Sequence, residues 1–287
     1  MREAMAFSPG HITGLFQICR HDDALMTGSR GAGFSVRLGA ESRVVLSEGE
    51  GVVNVHINGA RTNAKVTEMA IRLVLGDERM DVDVYTNLQL PMSQGFGMSA
   101  AGALSSALAL SELLGQGEDV AYEAAHIAEV NCGTGLGDVS AIRCGGMEYR
   151  KKEGLPPYGE VIRIPVDFEM VLARVGPVIS TSSVILDKIK SDAINTAGAS
   201  CVDRFISKPD LDNFLVQASE FMRGSGLMTD RIKRVIQAIG QNGRGSMCMV
   251  GNSVFAIGPD LELLARKLSR YGAVFMTQVD LEGPRLL

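Results

Sequence analysis

The chain has 287 residues, 46% hydrophobic and 21% charged, the balance of a globular protein long enough for one large or two modest domains. Lys and Arg number 28 against 33 Asp and Glu, and the net charge of −5 excludes a broad attraction to nucleic acid or to an anionic membrane. No apolar run reaches membrane-spanning length, Pro9, Gly10 and His11 interrupt the apolar stretch a signal peptide would need, and five scattered cysteines without a CxxC pair fit reduced thiols in the cytoplasm.

Residues 33–38, 42–46 and 51–57 read as strands, and Asn58-Gly59 marks a turn. Over 63–75, apolar residues at Val66, Met69, Ala70, Leu73 and Val74 recur at helical spacing, with Asn63 placed to cap. Residues 80–86 alternate as a half-buried strand. A glycine-rich loop over 91–98 precedes helices at 99–114 and 118–130. The charge run and Pro156-Pro157 within 151–165 mark the best domain boundary, with a long hairpin loop as the alternative. Beyond it come a strand at 169–175, helices at 182–195, 210–222 and 229–239, and a strand–helix–strand unit over 253–279. The pattern is α+β or mixed α/β, with open sheets covered by helices.

Glycine is abundant at 33 residues, and it gathers at 28–39, 95–102, 133–146 and 240–251 rather than repeating. The sharpest feature is Pro91-Met92-Ser93-Gln94-Gly95-Phe96-Gly97-Met98-Ser99-Ala100-Ala101, set between a predicted strand and a predicted helix. Gly95 and Gly97 permit a backbone that turns successive N–H groups inward, and the helix start adds unpaired donors at its positive end. Phosphate is the natural guest; a structural turn ahead of an Ala-rich core helix is the alternative. Ser99 can cap the helix, or reach a phosphate or a bound Mg²⁺. No lysine follows as in a Walker loop, and Gly95, Gly97 and Gly102 miss the dinucleotide-binding spacing.

Glu123, His126 and Glu129 are spaced three apart on one helix. Without HExxH or cysteines at ligand spacing, zinc is not expected; a partly buried histidine satisfied by a neighbouring carboxylate is. Then Gly133-Thr134-Gly135-Leu136-Gly137-Asp138-Val139-Ser140-Ala141 sets an acid between a glycine turn and an apolar run, which suits a carboxylate fixed in a cleft.

The loop resembles the ATP-binding motif P-x-x-x-G-L-G-S-S-A of the galactokinase, homoserine kinase, mevalonate kinase and phosphomevalonate kinase (GHMP) superfamily. It matches through Pro91, Gly95, Gly97, Ser99 and Ala100, with Phe96 for the leucine and Met98 for the first serine. The resemblance implies a GHMP kinase fold of two domains: a ribosomal protein S5 domain 2-like unit over 1–160 and a ferredoxin-like unit over 161–287, with the active site between them. It implies ATP over Pro91, Gly95, Phe96, Gly97, Met98, Ser99 and Ala100, and Mg²⁺ held by Ser99 and Glu129. Glu123 is the fallback, because Glu129 and Asp138 are two residues closer than in mevalonate kinase. Asp138 matches the aspartate that faces the substrate hydroxyl.

Four segments, at 7–16, 125–139, 176–181 and 246–256, are similar to the archaeal pantoate kinases within that superfamily. This implies phosphorylation of the primary hydroxyl of pantoate to 4-phosphopantoate, on the archaeal route to coenzyme A. The substrate carboxylate needs a cationic or N–H-rich pocket, for which His11, Arg20, His21 and Arg143 are candidates. Thr13 and Thr181 are candidate hydroxyl contacts, and Ser246 could support the loop or touch phosphate. The rivals are another alcohol kinase of the superfamily, for shikimate or mevalonate, and a non-catalytic nucleotide or metabolite sensor. A homodimer is compatible with the chain; nucleic acid and membrane partners are not expected.

Overall fold

The computed structural model describes all of residues 1–287. Strands β1 (Arg2–Cys19) and β2 (Gly28–Glu48) form one long antiparallel hairpin, paired from Arg2 with Leu46 to Cys19 with Gly28. Register shifts at Pro9/Gly10 and Thr13/Leu15 bend it, as β-bulges do. Beyond the bend, β2 pairs with β5 (Met80–Leu88) through residues 40–48; before it, residues 31–34 pair with β6 (Met147–Lys152). β3 (Val53–Ile57) runs parallel to β5, with β4 (Ala60–Arg61) at the edge. β7 (Glu160–Ile164) extends β6, and β12 (Arg285–Leu286) returns to pair with β1. The expected strands 33–38 and 42–46 are therefore parts of one bent strand. Its partner β1 is masked in the sequence by Pro9, Gly10 and Gly14, which the bulges absorb.

Helices α1 (Lys65–Leu75), α2 (Met98–Leu114), α3 (Glu118–Cys132) and α4 (Asp138–Cys144) cover this sheet. α2 is buried around nearly its whole circumference, between α1, α3 and strands β1 and β2. Its Ala, Gly and Ser residues allow that close approach, whereas a surface helix would carry a polar face. Asn63 does not cap α1: Ala64 occupies the cap position, with no side-chain hydrogen bond. The 151–165 segment joins β6 to β7 as a hairpin, and the chain leaves the large sheet only after Ile164.

The second sheet has the order β11-β8-β10-β9, all antiparallel, from β8 (Glu169–Arg174), β9 (Arg244–Cys248), β10 (Ser253–Ile257) and β11 (Ala273–Gln278). Helices α5 (Ser182–Ile185), α6 (Lys188–Ser207), α7 (Leu211–Gly224) and α8 (Asp230–Ile239) precede β9, and α9 (Leu261–Leu268) joins β10 to β11. This is the β-α-β-β-α-β order of a ferredoxin-like unit. The helix expected over 182–195 is interrupted after Ile185, where Asp187 accepts from the Lys190 N–H and starts α6 afresh.

One core spans both sheets, beside a second that lies between the large sheet and its helices. Phe34 on β2 meets Phe168, Phe214 and Phe255 at ring-centroid distances of 5.3, 5.8 and 5.3 Å, and Phe16 on β1 meets Phe221 at 5.4 Å. The fold is thus α+β with two open, sheet-bearing units. No helix is long and apolar enough to cross a membrane, and all five cysteines are free thiols.

Candidate active site

A cavity of about 380 Å³ opens where the two units meet, within the roughly 300–1,000 Å³ range of small-molecule sites. One wall is the glycine loop. Gly97, at φ 64°, is the N-cap of α2, and no side chain caps the helix. Gly97, Met98 and Ser99 all line the cavity, so the first-turn amides and the positive end of α2 are available to an anion. A side chain at Gly97 would meet the His11 backbone nitrogen at 2.9 Å, and the carbonyl of Phe96 accepts from the His11 N–H at 3.0 Å. The loop is held from the other side by the β9–β10 turn, where the Ser253 hydroxyl donates to the carbonyl of Gln94. The carbonyl of Ser93 also accepts from the N–H of Ile179 at 3.2 Å.

Behind Ser99 lies Glu129, the buried acid of α3. Its Oε1 accepts from the Ser99 hydroxyl at 2.5 Å and the Thr134 hydroxyl at 2.9 Å, while its Oε2 is buried with no partner. Burial pushes its carboxyl from 4.5 up to about 7, opposed by the Ser99 hydrogen bond, helped by the charge of Asp138, and opposed again by Thr134. Gly135 leaves the space between the two acids open: a Cβ there would lie 2.0 Å from Glu129 Oε2 and 3.4 Å from Asp138 Oδ2. An orphaned carboxylate oxygen, a serine hydroxyl and a cradle that a methyl group would fill are the hard-oxygen surroundings that suit Mg²⁺.

Asp138 opens α4 and lines the cavity. Its Oδ1 is 2.8 Å from His11 Nδ1, and its Oδ2 has no partner within the chain. His11 Nε2 is 3.0 Å from Glu148 Oε1, which also accepts from Arg150 Nη1 at 2.7 Å. His11, Glu148 and Arg150 are all at most 1% exposed. Burial pulls the His11 imidazole down, but the hydrogen bonds and charges of Asp138 and Glu148 outweigh it and leave the group above its ordinary 6.5. Arg150 Nε has no partner and would lie 2.8 Å from a Cβ on Gly137.

Residues 64–146 match the GHMP kinases N terminal domain. A pantoate kinase of Methanocaldococcus jannaschii is 35% identical over 255 residues, covering 88% of this chain and 91% of its own. A pantoate kinase of Methanospirillum hungatei is 31% identical over 290 residues, covering 98% and 96%. The chain belongs to the pantoate kinase family of GHMP kinases. A solved structure described as a phosphotransferase related to the CoA biosynthesis pathway superimposes with a TM-score of 0.90 at 27% identity, over 100% of this chain and 99% of its own.

The residues singled out in the sequence divide into three groups. His11, Thr13, Gly95, Phe96, Gly97, Met98, Ser99, Glu129, Asp138 and Thr181 line the cavity together. Pro91 begins the loop and Ala100 lies buried behind it; neither faces the cavity. His21 and Arg143 are elsewhere. His21 Nε2 pairs with Glu153 at 3.0 Å, and Arg143 donates to Asp119 at 2.6 Å with its guanidinium 4.6 Å over the Tyr122 ring. Five residues along a helix turn Arg143 about 140° away from Asp138. Arg20 donates to the carbonyl of Ile185 and Ser246 to that of Ala218, so neither replaces them. Glu123 is exposed, which leaves Glu129 as the acid beside Ser99. Ser99 is the second residue of α2 rather than its cap. No zinc cluster forms; His126 instead reaches the carbonyls of Ala24 and Thr27 at 3.1 Å each. Glu148 and Arg150 belong to no motif in the sequence. The one signal was alternation: two opposite charges at i and i+2 on a strand share a face, and here that face is buried.

Proposed function

We propose that the chain transfers the terminal phosphoryl group of Mg²⁺-ATP to the primary hydroxyl of pantoate, giving 4-phosphopantoate and ADP. The observation that carries this is Asp138, fixed by His11 through one oxygen, with its other oxygen unpartnered in the cavity that the glycine loop also lines. In this reading the phosphates lie against the α2 N-terminus, where amides from Gly97 to Ser99 supply donors without a competing cap. Bound Mg²⁺, held by Ser99 and Glu129, would draw charge from the phosphate oxygens. Asp138 takes the alcohol proton as the oxygen–phosphorus bond forms and the bond to ADP breaks. Phosphoryl transfer rests mainly on positioning and charge stabilisation, so a carboxylate of ordinary strength suffices.

Three features support pantoate as the alcohol. Family membership is the first. The second is an apolar wall of Phe16, Ile179 and Ile185, which suits the quaternary carbon that carries pantoate's two methyl groups. The third is polar: Thr13, Ser29 and Thr181 offer hydroxyls, and Arg150 Nε lies unpartnered behind Gly137 and Ser29. We assign the substrate carboxylate to that side. A smaller cavity lined by Ile57, Val66, Leu88, Met92 and Met98 adjoins the loop at Ser99, and we assign it to the nucleotide base. Phosphorus NMR of a reaction with pantoate tests the reading. A new phosphate monoester split by methylene protons is expected; an ester on the secondary hydroxyl, or none, would refute it.

A further inference from the structure

We propose that Glu148 is a positioning residue for the transfer: from the far side of His11 it keeps both ring nitrogens protonated, so that Nδ1 always donates to Asp138 and leaves the second carboxylate oxygen to the alcohol. The inference rests on the reading of Asp138 given above. The geometry is a relay through three elements, from Asp138 on α4 to His11 on β1, then Glu148 and Arg150 on β6. A neutral imidazole has one N–H and one lone pair. Placed between two carboxylates it would turn that lone pair toward one of them. Only the doubly protonated ring donates at 2.8 Å to one and at 3.0 Å to the other.

The fold makes room for this arrangement. Glu148 is paired across the sheet with Gly33, and a Cβ on Gly33 would lie 2.7 Å from His11 Nε2. Any larger residue there would push the ring off Glu148. Arg150 then supplies the charge that lets Glu148 stay buried at 0% exposure. The charged groups around the ring are therefore Asp138 from α4 and Glu148 and Arg150 from β6, with Glu129 of α3 further off across Gly135. The ring's elevated affinity for protons agrees with this relay. Glu148 does not line the cavity, and its link to Asp138 runs through His11.

The test reads the ring directly and without turnover, so its failure is distinct from failure of the kinase reading. Nitrogen NMR of histidine-labelled, ligand-free protein, with four histidines to assign, should show both His11 nitrogens protonated at about pH 8, well above the ordinary histidine range. In Glu148→Gln one nitrogen should lose its proton at that pH. Turnover should then fall about 10- to 100-fold, as when a partner that orients a functional histidine is removed. The KM for ATP should be unchanged, and the loss should deepen as pH rises above the variant's lowered His11 titration. A singly protonated ring in the wild-type protein overturns the proposal. So does a Glu148→Gln protein whose ring and pH profile match wild type. Should Glu148→Gln fail to fold, the double variant Glu148→Gln/Arg150→Met removes the buried pair together, and the same ring signal decides.

Discussion

Asp138 and Glu129 face the same glycine-lined gap from opposite sides, and their surroundings divide the work between them. Asp138 is a quarter exposed and held by His11. Glu129 is buried, which holds its carboxyl up at about 7, so the Mg²⁺ we propose for it would have to displace a proton near neutrality. Apparent Mg²⁺ affinity, measured by titration at fixed nucleotide, should therefore fall about tenfold per pH unit below that value. An affinity flat from about pH 5.5 to 7.5 would show that Glu129 is not the ligand. That Asp138, Ser99 and Glu129 come together in one cleft was legible in the sequence because local motifs carry them. His21 and Arg143 were misplaced because proximity in sequence to a motif says little about direction: each turns to a partner outside the cavity. Glu148 was not legible because its partner, His11, lies more than a hundred residues away, and Arg150 because it is placed through Glu148.

Among the elements, the glycine loop and α2 were read almost to the residue, since a loop rich in glycine followed by an Ala/Leu helix is a local signal. The interlock that supports the loop was not. It depends on the β9–β10 turn and on loop 176–181, which meet the glycine loop only in three dimensions. Gly97 is the position at which the loop is least able to change. Its φ of 64° disfavours a side chain, and a Cβ would press on His11 at 2.9–3.0 Å. Gly97→Ala should cost about 1–3 kcal/mol of stability, read from urea midpoints, and should weaken ATP binding as the loop shifts. A variant with wild-type midpoint and ATP affinity would mean the loop is not braced against His11. The long β1–β2 hairpin went unread over residues 2–19 because its bulges coincide with the residues that usually end strands.

At the scale of the molecule, the α+β class and two sheet-bearing units were legible, whereas their joint core was not. Phe34 sits on the large sheet yet contacts Phe168, Phe214 and Phe255 of the second unit, and periodicity within one strand cannot reveal a partner in another unit. Because one of the two cores spans both units, urea unfolding should be a single transition by fluorescence and circular dichroism alike. Phe34→Ala should lower stability by about 3–5 kcal/mol; two separated transitions in wild type would contradict a shared core. The same junction forms the cavity, so holding the units together is what brings Thr181 and Val250 opposite Asp138. The most direct test of the proposed chemistry is ADP release with Mg²⁺-ATP over pantoate, pantothenate, mevalonate, shikimate and homoserine, in wild type and Asp138→Ala. Turnover confined to pantoate and largely abolished in Asp138→Ala is the predicted result. Turnover on another alcohol, undiminished turnover in Asp138→Ala, or ATP binding without turnover on any of them would contradict it.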